Sequence, residues 1–409
     1  MSATSVLQER SRAPRLGRRP LRRWLVPPAM MSDPGEEMSD LKILGEHPGE
    51  DALLLWTVAR DLVLWGTTPA TERAGLFDAG ARRQRGQQLK RSGLPAEVTT
   101  CLEVLVSLLH APIVPGVAVV TEVCHQVVRW ASANRMAETA LAFAQAAALA
   151  DPMDARAAAL VGRTAAAFGR LVRADSWYQR TVAIGRRVRD WRPYVASYHG
   201  MGEVALRRGR TSDAEAKFTK ALRGARRHGF RAEGAVALIG LFRAAVEAGR
   251  MEDAVAWEAR AARAVRGDED GQVALAEVAV DLWMWMGDYR RALQCLQTVR
   301  LGATTPGKRM EVWARIAHAA AGDGDRERLI EAWTRCWGLA IEAGAERGAR
   351  FLAFLELHRA AALGGDGRRA GRAIQAAMEL AVDAADLAAI GAARCPIRRA
   401  NGRAGERAA

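Results

Sequence analysis

No apolar run in the 409-residue chain is long enough to cross a bilayer. A spanning helix needs about 20 consecutive apolar residues. The best stretch, "ALLLWTVARDLVLWG", is split by Arg60 and Asp61, and "VLVSLL" is bounded by Glu103 and His110. No membrane insertion is expected. Seven arginines crowd residues 1–29, but "WLVPPAMM" behind them is too short and too broken by proline to serve as the apolar region of a secretory leader. Cysteine is scarce: Cys101, Cys124, Cys295, Cys336 and Cys395 are odd in number, widely spaced and form no C-x-x-C pair. That pattern fits reduced thiols in a cytoplasm better than a disulfide framework. Cys124 and His125 do not make a ligand pair, because neighbours on a helix point about 100° apart.

Catalytic signatures are missing as well. No Ser-His-Asp order, H-E-x-x-H or paired-carboxylate motif emerges. "GATTPGK", residues 302–308, satisfies the G-x-x-x-x-G-K spacing of a phosphate loop, but the helical "YRRALQCLQTVR" precedes it and Arg309 stands where a magnesium-binding hydroxyl belongs. It reads as a connection between helices. In "DEDGQVALAE" Gly271 comes two positions too early for a calcium loop. The stretch reads as a cap for a helix beginning near Gln272, and Asp323 and Asp325 form a second acidic turn at a helix start. The expectation is a non-catalytic chain with no cofactor and no metal.

The net charge of +14 is concentrated at the ends: residues 1–29 carry +6 and residues 394–409 carry +4, leaving +4 for the body. Both ends are rich in Pro, Gly and Ala and are expected to be disordered basic arms, residues 1–40 and 394–409. Met31 and Met38 offer alternative starts.

What the sequence does have is a repeat. Gly followed by Arg or Asp, with a small residue five places after the Gly, recurs as Gly169 with Ala174, Gly209 with Ala214, Gly249 with Ala254 and Gly287 with Ala292. Gly324, with Leu329 at that place, and Gly365 with Ala370 continue the series. An irregular period near forty residues describes stacked helical hairpins joined by loops of varying length. Gly162 and Gly202 lie seven residues before their turn glycines, and Tyr178 and Phe218 nine residues after them. This spacing is expected to set each early glycine opposite the alanine of the second helix, letting the axes approach closely. The aromatic then lies on the alanine's face and fills the groove toward the next hairpin.

The pattern resembles the tetratricopeptide repeat, a helix-turn-helix unit. It is matched most fully by Tyr198, Met201, Gly202, Gly209, Ala214, Phe218 and Ala221, then by Val161, Gly162, Gly169, Ala174 and Tyr178. The third copy has Phe242 at the small position and the last has His358. The resemblance implies an all-α, right-handed superhelical solenoid of antiparallel helix pairs, an array of about seven hairpins over residues 120–393. Ahead of it, residues 41–119 read as a helical N-terminal cap. "EDALLLWTVARDLVLWG" makes one cap helix, "TPATERAGLF" starts a second with Thr68 as its N-cap and Pro69 at its first position, and "LPAEVTTCLEVLVSLLH" makes a third. The basic "ARRQRGQQLKR" reads as a solvated helix face, the alternative being a DNA-reading helix.

In such arrays the first helix of each hairpin lines the inner face. The residue after the small position, predicted to point inward, is Arg163, Glu203, Arg243, Asp281, His318 and Arg359 in successive copies, with Arg156, His199, Arg207, Glu277 and Trp285 beside them. Trp283 and Trp285, two places apart on a helix, cannot share one face, so one of them is expected to be exposed. The charges are mixed, and no Lys/Asn set for clamping a peptide carboxylate is present. The resemblance implies a scaffold that holds a protein or peptide segment. The alternative is a bacterial regulator in which the array senses a peptide or protein and another segment acts on nucleic acid. Titrating labelled DNA or RNA against the whole chain and against residues 41–393 separates the two. The expectation is weak, salt-sensitive binding that disappears with the basic ends; sequence-selective binding that survives in the body would establish the regulator.

Overall fold

The computed structural model describes residues 40–47, 49–69, 72–73, 76–77, 79–109, 116–341 and 346–394. Apart from Asp40 and Arg394, the two basic arms lie outside the described residues. The fold is all-α, a TPR-like solenoid of antiparallel helix pairs, with no strand among the described residues. No helix among them is long and apolar enough to cross a membrane. The chain divides into two compact units, Met1–Gly240 and Leu241–Ala409.

In the first unit, α1 (Glu50–Thr67), α2 (Ala79–Arg91) and α3 (Ala96–Leu109) precede the hairpins α4 (Val117–Ala133) with α5 (Ala137–Ala150), α6 (Ala155–Ala167) with α7 (Leu171–Val188), and α8 (Trp191–Arg207) with α9 (Thr211–His228). The unit division falls inside α10 (Arg231–Glu247). The second unit continues with α11 (Met251–Ala264), then α12 (Glu269–Met286) paired with α13 (Tyr289–Gly302), α14 (Pro306–Asp323) with α15 (Arg326–Ile341), α16 (Arg347–Leu363) with α17 (Gly367–Leu380), and finally α18 (Ala384–Arg394).

Local chemistry closes each hairpin. Gly169, Gly209, Gly249, Gly287, Gly324 and Gly365 all have φ between 69° and 80°, the left-handed conformation that glycine adopts without a Cβ penalty. The amide after each one donates back into the helix that is ending, as in Arg170 N to Ala165 O at 2.8 Å and Asp366 N to Ala361 O at 2.8 Å. The next helix is capped at once where that residue is an aspartate: Asp288, Asp325 and Asp366 each accept the amide three residues on. The two declined motifs serve the same purpose. Asp268 caps α12 through Gly271 N, and Thr305 caps α14 through Lys308 N with Pro306 in the first turn.

A further turn of this kind carries no glycine. Arg135 takes the left-handed place with φ 59°, Met136 N donates to Ala131 O at 2.9 Å, and Ala140, five residues on, is fully buried. A search keyed to glycine passes over it.

Inside the hairpins, Ala174, Ala214, Ala254 and Ala292 are fully buried. The atoms nearest to the glycines, however, belong to the aromatic rings. A Cβ on Gly162 would stand 2.7 Å from the ring of Tyr178, and one on Gly202 would stand 2.5 Å from the ring of Phe218. The next hairpin does the same from the other side, where a Cβ on Gly200 would overlap the Tyr178 ring and one on Gly240 would stand 2.6 Å from the ring of Phe218. Each ring therefore lies between two glycines from successive first helices. The aromatic fills the groove between hairpins as its spacing implies, and the glycine makes room for the ring, whose bulk demands more space than the alanine methyl.

Ahead of the hairpins, α1 packs on α5, where Gly66 meets the backbone of Leu149 and Ala150 at 3.1 Å from its would-be Cβ. One apolar core runs from Ile43 through α1 and α3 to Trp177 and Ile184. On the basic α2 only Arg85 and Leu89 are buried, and Arg85 Nε meets Asp61 Oδ2 at 3.1 Å. Among the described residues no α-helix starts at Thr68. That residue ends α1, its hydroxyl and amide both donating to Leu64 O at 2.7 and 3.0 Å. The proline that follows cannot extend those bonds, and the next α-helix begins at Ala79.

A methyl at Gly202 would enter a ring already held on its far side by Gly240. Overpacking costs about 1–3 kcal/mol, against a helix-propensity gain of about 1 kcal/mol. Gly202→Ala is thus expected to lower the thermal midpoint, whereas Gly338→Ala, an exposed site on α15 with open space around it, should raise it. Equal shifts in thermal denaturation would show that the ring is not confined.

Candidate functional site

The face of α8 between Val195 and Arg207 forms the floor of a cleft of about 510 Å³ in the first unit, walled by α6 and by the start of α10. The i, i+4 series Val195, His199, Glu203 and Arg207 runs along it. Tyr178, Gly200 and Val204 give the base an apolar surface, and Val236 on α10 is 44% exposed at the edge. Four predicted residues, Arg163, His199, Glu203 and Arg207, therefore come together here.

Arg207 Nη1 donates to Ala166 O at the end of α6, which fixes its guanidinium at the α6 side. His199 Nε2 lies 3.7 Å from Glu203 Oε1. Burial pushes the Tyr178 phenol up to about 12, opposed by the positive charges of Arg163 and Arg207. At the opposite corner Glu233 meets Arg192 Nε at 2.7 Å through Oε1, while its Oε2 is shielded from solvent and accepts no hydrogen bond among the described residues.

The remaining predicted residues are elsewhere. Arg156 pairs with Asp190 at 3.3 Å. Arg243 belongs to the second unit and is half-buried there. In that unit the row is tied up between neighbouring first helices: Glu277 with Lys308 at 3.0 Å, Asp281 with Arg315, and His318 with Glu356. Arg359 joins the last pair at 3.0 Å from Glu356 Oε2. Trp285 is 63% exposed while Trp283 is buried, its indole N–H donating to Glu258 at 3.2 Å.

Sequence reasoning missed Tyr178, Val195, Glu233 and Val236 as lining residues. Val236 carried a usable signal. Arg156 lies thirteen residues before its turn glycine, and the same offset in the next two copies gives Ala196 and Val236, both in the cleft. Glu233 had no such signal, since its role depends on Arg192 reaching it from α8.

The tetratricopeptide repeat family profile matches residues 154–227, the segment from the cap of α6 almost to the end of α9. Residues 154–227 carry tetratricopeptide repeats. No curated protein matches it. Among solved structures, aspartyl phosphate phosphatase F from Bacillus subtilis shares 10% identity, covering 79% of this chain and 94% of that one with a TM-score of 0.50. PilF from Pseudomonas aeruginosa shares 16% identity over 55% of this chain and 94% of that one, with a TM-score of 0.42. The Rap conjugation gene regulator of plasmid pLS20, solved with the Phr* peptide, shares 13% identity over 79% of this chain and 96% of that one, with a TM-score of 0.44. At this identity the first of these shows a shared fold and nothing about activity.

The second unit's repeat row has a pH signature. Burial raises the Glu356 carboxyl, but the hydrogen bond and charge of His318, together with Arg359, outweigh it and hold the group below the ordinary glutamate range. A depressed folded pKa contributes stability above the unfolded value, about 4.3, and that stability is lost as pH falls through the folded value. Glu356→Gln is therefore expected to lower urea stability at neutral pH and to flatten its decline in acid. An unchanged acid limb would show that the triad does not couple to folding.

Proposed function

We propose that the chain is a non-catalytic interaction scaffold whose first unit holds a segment of another protein in the cleft along α8. The observation that supports this most directly is the meeting of Arg163, His199, Glu203 and Arg207 over an apolar base, with Val236 exposed at its edge. Tetratricopeptide repeats commonly serve as protein-binding surfaces, and charged groups over apolar surface suit a segment that offers both kinds of side chain. The solved relative that carries the Phr* peptide has the same kind of partner in its own structure. Residues 41–119 act in this reading as the end cap of the array, sharing the core of the first hairpins.

The second unit has a different part. Its charged row is paired internally, which suits a rigid extension of the scaffold better than a second binding floor.

A photo-reactive amino acid at Val236 should cross-link the partner in cells. The same group at Val188, equally exposed on α7 but outside the cleft, should not. Reversing Arg163 and Arg207 to glutamate is expected to reduce the Val236 adduct at least tenfold while leaving the helical circular dichroism unchanged. Equal yields at both positions would sink the cleft assignment.

A further inference from the structure

The cleft is electrically polar along its length. Arg163 and Arg207 share one end, both close enough to act on the Tyr178 phenol, and Arg207 is anchored there by the α6 carbonyl. Glu233 occupies the other end, beside the first turn of α8, where Arg192 reaches it. Arg192 takes up only Oε1, and among the described residues the shielded Oε2 accepts no hydrogen bond. A carboxylate oxygen withdrawn from water without a donor costs free energy that an incoming N–H can recover. Between the two ends lie Val195, Gly200, Val204 and Val236, with Glu203 held by His199.

Building on the cleft reading, we propose that the occupant is a short extended peptide segment with opposite charges at its two ends. Its acidic side chain pairs with Arg163 and Arg207, its basic side chain reaches Glu233, and small apolar residues between them cover the Tyr178 and Val236 surface. The twelve helical rises from Val195 to Arg207 span about 18 Å, which corresponds to roughly five or six residues of extended chain. Charge complementarity selects this occupant over a uniformly acidic segment, which Glu233 and Glu203 would repel, and over a uniformly basic one, which the two arginines would repel.

Fluorescence anisotropy with four sets of labelled hexapeptides tests this: lysine and glutamate at opposite ends in both chain directions, glutamate at both ends, lysine at both ends, and neutral ends, all with valine, leucine or alanine between. At least one bipolar direction should bind ten or more times more tightly than every other set. Glu233→Lys should shift the preference to the doubly acidic set, and Arg163→Glu with Arg207→Glu to the doubly basic set. Arg163→Glu and Arg207→Glu combined with Glu233→Lys should keep a bipolar preference but favour the opposite direction, which guards against simple loss of folding. Equal binding of all sets, or binding of none, overturns the bipolar assignment. If the Val236 cross-link to a cellular partner persists in that event, the cleft reading stands with a differently charged occupant; if it is absent too, both readings fall.

Discussion

An aromatic ring held between two glycines is the contact on which the best-formed repeats depend. Tyr178 lies between Gly162 and Gly200, and Phe218 between Gly202 and Gly240. Both rings are buried, and each joins the first helix of its own hairpin to the first helix of the next. A ring of this size contributes about 1.5–3 kcal/mol when removed from water, but only if the neighbouring backbones come close enough to touch it. Each glycine permits that approach at a cost of about 1 kcal/mol in helix propensity, so the two that flank a ring offset much of what its burial contributes. The alanines four residues earlier then complete a face with no bulk to hold the helices apart.

The same contact builds the cleft. Gly200 and Tyr178 are at once packing partners and part of the cleft base, so the residues that set the hairpin spacing also set the apolar floor on which a segment would lie. His199 and Glu203, next to Gly200 and Gly202 in sequence, are carried to the open face by helical geometry alone. The packing contacts and the proposed binding surface thus share one helix, α8.

Charge is used differently in the two units. The second unit's row is cross-linked helix to helix by Glu277 with Lys308, Asp281 with Arg315, and His318 with Glu356 and Arg359. Partly exposed pairs of this kind contribute little stability, about 0–1 kcal/mol each, but they fix orientation and leave few charges to recruit a partner. The first unit keeps Arg163 and Arg207 at one end of the cleft and the half-satisfied Glu233 at the other. On the proposed reading, that asymmetry assigns recognition to the first unit.

Helix pairing was written in the chain itself. The recurring glycines, the alanine five places on and the aromatic nine places on are local rules, and each follows from backbone sterics or helical period, so their positions could be read without coordinates. Arg135 escaped because a left-handed arginine breaks the glycine rule, and only the return bond from Met136 to Ala131 reveals its turn. Thr68 was misread because one hydroxyl can cap either end of a helix, and the choice depends on which carbonyl or amide lies in reach. Which inward charges pair from helix to helix was beyond the sequence altogether. Asp281 and Glu203 hold equivalent places in the repeat, yet one meets an arginine from the next first helix and the other a histidine on its own. That distinction belongs to distances between helices, and the chain's linear order does not contain them.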